Sequence, residues 1–151
     1  MRMLENISPK RVMAFFEDIC GIPHGSGNTK AIGDYCINKA QQMDLIALKD
    51  AMGNVVIKKP ASKGYEDHPA VVLQAHLDMV CERVENSNFD FEKSGIEIAV
   101  EGDYITANGT TLGGDDGIAL AYAMALLADK NIPHPPLEVV ITVDEETGMY
   151  G

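Results

Sequence analysis

Positive charge is scarce in this sequence. Lys and Arg total 12 against 23 Asp and Glu, which gives a formal net charge of −11 at pH 7. Nucleic acids and anionic membrane surfaces are bound by clustered cations, so this balance disfavours both as partners. We expect part of the negative charge to neutralise a bound cation and most of it to lie on solvated surface.

Long apolar runs and closely spaced cysteines are also missing. No run approaches the ~20 residues of a membrane-spanning helix, and the N-terminus lacks the apolar core of a secretory signal peptide. Three widely spaced cysteines, Cys20, Cys36 and Cys81, favour neither a disulfide framework nor a thiolate metal site. We therefore expect a reducing, cytoplasmic compartment. For Cys81, a buried structural thiol is favoured over a nucleophile.

The 151 residues, 46% hydrophobic and 23% charged, are typical of one globular domain. No repeat, linker or low-complexity segment interrupts them. Apolar periodicity predicts helices that alternate with strands, and hence an α/β fold with a mixed sheet flanked by helices. The predicted helices span 9–20, with Ser8 as N-cap, then 29–43 and 118–128; the predicted strands span 45–49, 54–58, 70–75, 96–100, 104–107 and 137–143.

The strand over residues 70–75 delivers two polar side chains at its end. Its apolar run Val71–Leu73 predicts a buried strand, and His76 and Asp78 follow it two positions apart. Alternation along a strand places such positions on the same side. A carboxylate that accepts a hydrogen bond from one imidazole nitrogen leaves the other nitrogen free for a metal. The alternative is a half-exposed strand end that carries two polar residues.

Two further acidic pairs lie at the ends of core elements. Asp115 and Asp116 lie in a glycine-rich loop that opens into a helix apolar on nearly every face, and Glu145 and Glu146 follow the strand over 137–143. Each has a local alternative, a helix cap for the first pair and a solvated turn for the second. In open α/β sheets, however, ligands bind outside the carboxyl ends of the strands.

Taken together, the three clusters offer one imidazole and several carboxylates. This set suits zinc, manganese or cobalt in a hydrolase, and it does not suit a structural thiolate site. The pair Glu145–Glu146 offers one metal ligand and one free base for metal-assisted hydrolysis. His24, in a loop beside two glycines, could approach a substrate or be structural.

Three motifs in the sequence resemble those of a known family. The motifs QAHLDMV (74–80), LGGDDG (112–117) and DEETG (144–148) are similar to the three N-terminal motifs of the co-catalytic zinc exopeptidases. The stretch FFEDICGIPHGSGN (15–28) resembles the aminoacyl-histidine dipeptidase branch of that superfamily, the Xaa-His dipeptidases, also called peptidase D, which are similar to carnosinase. The resemblance covers essentially the whole chain.

The resemblance implies a role for each of five residues. His76 would bind one metal ion, Asp115 would bridge two, and Glu146 would bind the other. Glu145 would be the general base, and Asp78 would orient His76. The cofactors would be two divalent metal ions, zinc first, with cobalt or manganese as alternatives. The resemblance further implies a cis peptide between Asp115 and its successor.

The resemblance also implies that residues 1–151 are the incomplete N-terminal portion of the catalytic domain. The family's two remaining metal ligands and its lid domain would lie beyond Gly151. The lid domain would contribute to substrate binding and to a homodimer. The chain alone would then be inactive.

The expected activity is hydrolysis of small dipeptides, Xaa-His dipeptides such as carnosine, by a water activated by two zinc ions. Two alternatives stay open on the sequence. One is a deacylase or aminoacylase of N-acyl amino acids in the same superfamily. The other is a non-catalytic binding module that retains the fold, although the intact Glu145 and Glu146 disfavour it.

Overall fold

The structure is a computed structural model that describes residues 2–151. Two helices come first, then five strands, a third helix and a last strand, so helices and strands do not alternate as regularly as the sequence predicts. The helices are α1 (Lys10–Cys20), α2 (Lys30–Gln42) and α3 (Gly114–Ala128). The strands are β1 (Ile46–Lys49), β2 (Val55–Lys59), β3 (Val71–His76), β4 (Ile98–Glu101), β5 (Tyr104–Ala107) and β6 (Leu137–Thr142), and a single 3-10 turn, Glu145–Thr147, follows β6.

Four strands form a mixed sheet in the order β1-β2-β6-β3, and β4 and β5 form a separate hairpin. The β1–β2 and β2–β6 pairs are antiparallel, whereas β3 and β6 are parallel. Their register sets His76 opposite Thr142. Because the two strands point the same way, the segments that follow His76 and Thr142 leave the same edge of the sheet. The predicted mixed sheet is confirmed.

The core lies between this sheet and the helices. Alternate residues of the central strands β2 and β6 are buried, and α3, with seven of its 15 residues buried, packs against α1 and β3. This confirms the buried apolar helix that the sequence predicts. Among residues 2–151, no helix is both long enough and apolar enough to cross a bilayer.

Three local predictions were wrong. The first half of β3 is not buried: Val71 is 43% and Val72 58% exposed, because β3 is an edge strand and has a neighbour on one side only. Cys81 is exposed, since the chain has already left the sheet when it reaches this residue. Helix α1 has Pro9 at its N-cap and no side-chain cap, so Ser8 does not cap it.

Candidate metal centre

His76 is the buried end of β3. Its backbone N–H donates to Asp116 Oδ2 at 3.2 Å. The ring Nδ1 lies 3.0 Å from the carbonyl oxygen of Asp78 and 3.3 Å from its Oδ1, and Nε2 lies 3.1 Å from Asp115 Oδ1. Burial lowers the pKa of His76, but the hydrogen bond to Asp115 and the charges of Asp116 and Asp78 outweigh it and raise this pKa overall. When its single proton lies on Nδ1, which faces the carbonyl oxygen of Asp78, the ring leaves Nε2 free to bind a metal ion.

Asp115 and Asp116 lie where the glycine-rich loop enters α3. Gly113 has a φ of 73°, and the φ and ψ of Asp115, −93° and 112°, are not helical. The Asp115–Asp116 peptide is cis, which confirms what the resemblance implies. The two side chains lie in different environments: the Asp115 side chain is 84% exposed, whereas Asp116 accepts the hydrogen bond from His76. Burial raises the pKa of Asp116.

The third cluster is the single 3-10 turn after β6. The backbone N–H groups of Glu145 and Glu146 donate to Asp78 Oδ1 and Oδ2 at 3.0 and 3.2 Å. Asp78 is only 1% exposed. The same buried carboxylate therefore holds this turn and lies against the ring of His76.

Three of the predicted side chains converge on one point. One ligand atom each from His76, Asp115 and Glu146 lies within 4.8 Å of the other two. Burial, together with the negative charge of Asp115, raises the pKa of Glu146. An imidazole and two carboxylates are ligands that zinc, manganese and cobalt accept, and a cation would relieve the repulsion between the carboxylates. The donor set therefore fits a divalent metal ion.

Glu145 lies outside this convergent group. It lines a cavity of about 330 Å³ together with Gln74, Thr142, Val143, Met149 and Gly151. Its assignment as a general base stays a prediction.

A second cavity, of about 480 Å³, opens directly beside the convergent group. Two of the three candidate ligands, Asp115 and Glu146, lie on its wall. Both carboxylates are therefore accessible to a small molecule in this cavity. The remaining lining residues are Val80, Thr111, Leu112, Gly113 and Gly114.

His24 is buried, with 3% of its surface exposed. Its Nδ1 lies 2.6 Å from the carbonyl oxygen of Ile22, and its Nε2 has no hydrogen-bond partner among the described residues. Burial lowers the pKa of His24. A Cβ added at Gly113 would lie 3.3 Å from Nε2, so the ring packs beneath the glycine-rich loop and does not line the cavity beside Asp115. Of the two interpretations of His24, this placement favours the structural one.

Sequence reasoning missed Ser26. Its hydroxyl donates to Asp78 Oδ2 at 2.6 Å. The glycines on both sides of Ser26 indicate a tight turn, but no local pattern reveals a partner so far along the chain.

Comparison with known proteins identifies the family. Residues 72–151, which carry all three acidic clusters, match the sequence profile of peptidase family M20/M25/M40. The chain belongs to this family. The resemblance that the motifs indicate is thereby confirmed.

Individual relatives agree with this assignment. The chain is 42% identical over all 151 residues to the cytosol non-specific dipeptidase of Escherichia coli, of which it covers 31%. It superposes on the crystal structure of aminoacylhistidine dipeptidase from Vibrio alginolyticus with a TM-score of 0.95 and 44% identity, over 98% of this chain and 30% of that one. A tripeptidase from Staphylococcus aureus matches at a TM-score of 0.73 and 25% identity, over 92% and 37%. The chain thus spans about a third of the length of these relatives.

Proposed function

We propose that this chain supplies the N-terminal metal-binding part of a metal-dependent dipeptidase. The observation that carries the proposal is the convergence of His76, Asp115 and Glu146 to within 4.8 Å of one another. Membership of a peptidase family supports it. As substrates we propose dipeptides of the Xaa-His type, such as carnosine. The name of the Vibrio relative supports this choice, while the E. coli relative is called non-specific.

In this proposal His76 and Glu146 would each hold one of two divalent metal ions, and Asp115 would be a ligand to both. The ions would be zinc, with cobalt or manganese as alternatives. Bound there, they would supply Lewis acidity that polarises the peptide carbonyl and lowers the pKa of water. Asp78 keeps the His76 ring in the orientation in which Nε2 faces Asp115.

Glu145 moves the proton in this proposal. Its carboxylate accepts a proton from the attacking water and returns it to the departing amine, so that the net reaction consumes one water for each peptide bond. Its neighbour Glu146 contacts the other cavity. The 3-10 turn thus places the proposed base, Glu145, and the proposed ligand, Glu146, at different cavities.

The proposal requires further ligands from outside residues 1–151. With Asp115 shared, each metal ion would have two protein ligands here, whereas catalytic zinc sites generally use three. We propose that the missing ligands and a lid domain come from a further part of the protein, and that the lid forms a homodimer. The chain's 31% coverage of the E. coli relative supports this. The cytosolic location in that relative's name, together with three unpaired cysteines, supports a cytoplasmic location.

The test separates the two glutamates in the full gene product. We expect Glu145→Gln to leave the zinc content nearly unchanged and to lower turnover by roughly two to four orders of magnitude, the usual contribution of positioned acid–base catalysis. Glu146→Gln should instead weaken zinc binding. Zinc content would be measured by atomic emission after dialysis, and turnover by amine release from Xaa-His dipeptides.

Two outcomes would contradict the proposal. Equal loss of zinc in both variants, with activity restored by added zinc, would remove the division of roles. Hydrolysis of N-acetyl amino acids by the wild-type protein, with no cleavage of dipeptides, would replace the dipeptidase with a deacylase.

A further inference from the structure

We propose that Ser26 is a positioning residue for the metal centre and that it acts through Asp78. The inference rests on the proposed function, because it concerns how that site is held in place. Ser26 is not one of the three residues whose ligand atoms converge. Its hydroxyl donates instead to the carboxylate on which two of them depend.

The Asp78 carboxylate has four neighbours that can donate hydrogen bonds. Its Oδ1 accepts from the backbone N–H of Glu145 and lies 3.3 Å from His76 Nδ1. Its Oδ2 accepts from the backbone N–H of Glu146 at 3.2 Å and from the Ser26 hydroxyl at 2.6 Å. The bond from Ser26 is the shortest of the four, in the range of charge-assisted O–H to carboxylate bonds. Without it, Oδ2 would retain one longer bond from a backbone amide.

The loop that carries Ser26 is fixed on both sides of Asp78. The N–H of Met79 donates to the carbonyl oxygen of His24 at 3.1 Å. The N–H of Gly27 donates to Asp144 Oδ1 at 2.7 Å. One contact ties the loop to the segment after β3 and the other to the turn after β6. These two hydrogen bonds restrict the movement of the loop, so the hydroxyl of Ser26 stays within hydrogen-bonding distance of Asp78.

A purely local role does not account for this hydroxyl. Serine often caps helices, but the N-cap of α2 is Thr29, and no side chain caps that helix. The hydroxyl of Ser26 instead reaches a residue 52 positions away.

Loss of the hydroxyl should loosen two candidate ligands at once. The Asp78 carboxylate would have more rotational freedom, and it contacts both the His76 ring and the turn that carries Glu146. Substitution of partners that orient metal-binding histidines typically weakens metal binding or activity about 10- to 100-fold. Because Ser26 acts one contact further out, we expect an effect near the lower limit, roughly tenfold.

The test compares three variants of the full gene product. Ser26→Ala removes the hydroxyl, and Ser26→Thr retains one. Ser62→Ala is the matched control, because the hydroxyl of Ser62 likewise forms hydrogen bonds in the fold, two in number and both to His134, at the opposite end of the sheet. For each variant the zinc Kd would be measured by competition with a chromophoric chelator, the melting temperature on the zinc-free protein, and kcat and KM with a Xaa-His dipeptide.

We expect Ser26→Ala to raise the zinc Kd and lower kcat, each roughly tenfold, with a melting temperature no lower than that of Ser62→Ala. Ser26→Thr should restore most of both losses, and Ser62→Ala should leave Kd and kcat unchanged. Should Ser26→Ala not fold, Ser26→Cys keeps the shape of the side chain and replaces the strong O–H donor with a weak S–H donor.

Two results would overturn the role of Ser26. One is a folded variant without the hydroxyl that retains the wild-type zinc Kd and kcat. The other is a rise in KM alone, which would make Ser26 a substrate contact. Absence of zinc binding and hydrolysis in the wild-type protein would instead overturn the proposed function itself.

Discussion

Gly113, two positions before the candidate ligand Asp115, has little free space beside its Cα. A Cβ added at Gly113 would lie 2.8 Å from the sulfur of Met79 and 3.3 Å from His24 Nε2. The positive φ of 73° is itself unfavourable for any residue with a side chain. Both constraints act two positions before Asp115. Contacts with Met79 and His24 therefore restrict the path of the loop that leads to Asp115.

We therefore expect Gly113→Ala to lower the free energy of unfolding by about 1–3 kcal/mol, the usual cost of a non-glycine residue in this backbone region. The control is Gly114→Ala, because no atom lies within 4 Å of a Cβ added there, and its effect should stay within about 0.5 kcal/mol. Urea denaturation of both variants measures the difference. Equal effects would show that the space beneath Gly113 is not restrictive.

The sequence predicts which individual residues converge, and it does not predict the hydrogen bond by which Ser26 holds Asp78. His76, Asp115 and Glu146 each follow or open a core element, so the rule that ligands bind at strand ends brings them together. Ser26 and Asp78 lie far apart in sequence, and their hydrogen bond depends on how two loops meet in the folded protein. The exposure of Cys81 likewise depends on where the chain leaves the sheet.

Helix α3, which carries Asp115 near its start, has no basic residue in its last turn. Lys59, at the end of β2, supplies the missing cation. Its Nζ donates to the carbonyl oxygens of Leu126 and Asp129 at 2.9 and 2.5 Å. A cation there satisfies two carbonyl groups at the helix C-terminus and interacts favourably with the helix dipole.

Lys59→Met should lower the free energy of unfolding by about 1–3 kcal/mol, because it removes two hydrogen bonds from a charged donor. The neighbouring Lys58→Met is the control, since Lys58 makes only an exposed ion pair with Glu138, which contributes about 0–1 kcal/mol. Thermal unfolding of both variants in the same buffer measures the difference. If the melting temperature fell further for Lys58→Met than for Lys59→Met, the hydrogen bonds from Lys59 to the end of α3 would not be the stabilising contact.

Most elements could be predicted from the sequence, because each is specified by its own pattern. Alternation predicts the β4–β5 hairpin, and the continuous apolar run over residues 118–128 predicts the buried part of α3. The burial of β3 could not be predicted in this way. An apolar strand is equally compatible with the centre and with the edge of a sheet, and only the strand order, β1-β2-β6-β3, decides between them.

As a whole, residues 1–151 contain many carboxylates but few side chains placed to bind a metal ion directly. The net charge is −11. Among the described residues, one group of three side chains could hold a metal ion, and it consists of His76, Asp115 and Glu146. Without a cation, nearby carboxylates repel each other. The exposed edge of β3 adds unpaired backbone groups, which favour association between chains.

We expect purified residues 1–151 to bind zinc weakly, to show no hydrolysis of Xaa-His dipeptides, and to self-associate. The reason is that each metal ion would be about one protein ligand short of the usual three. Isothermal titration with zinc, a cleavage assay and sedimentation velocity measure the three properties, with the full gene product as reference. Tight binding of two zinc ions together with turnover close to that of the reference would contradict this expectation.

The parallel pairing of β3 with β6 has a consequence for synthesis on the ribosome. The strand that ends in His76 is made early, yet β4, β5 and the whole of α3 must be translated before its partner emerges. Until then β3 has neither of its edges paired, and the turn that carries Glu145 and Glu146 has not yet been made. The nascent chain therefore passes through a stage in which an apolar strand is available to chaperones or to other chains. The metal site can assemble only after the turn that carries Glu146 has left the exit tunnel.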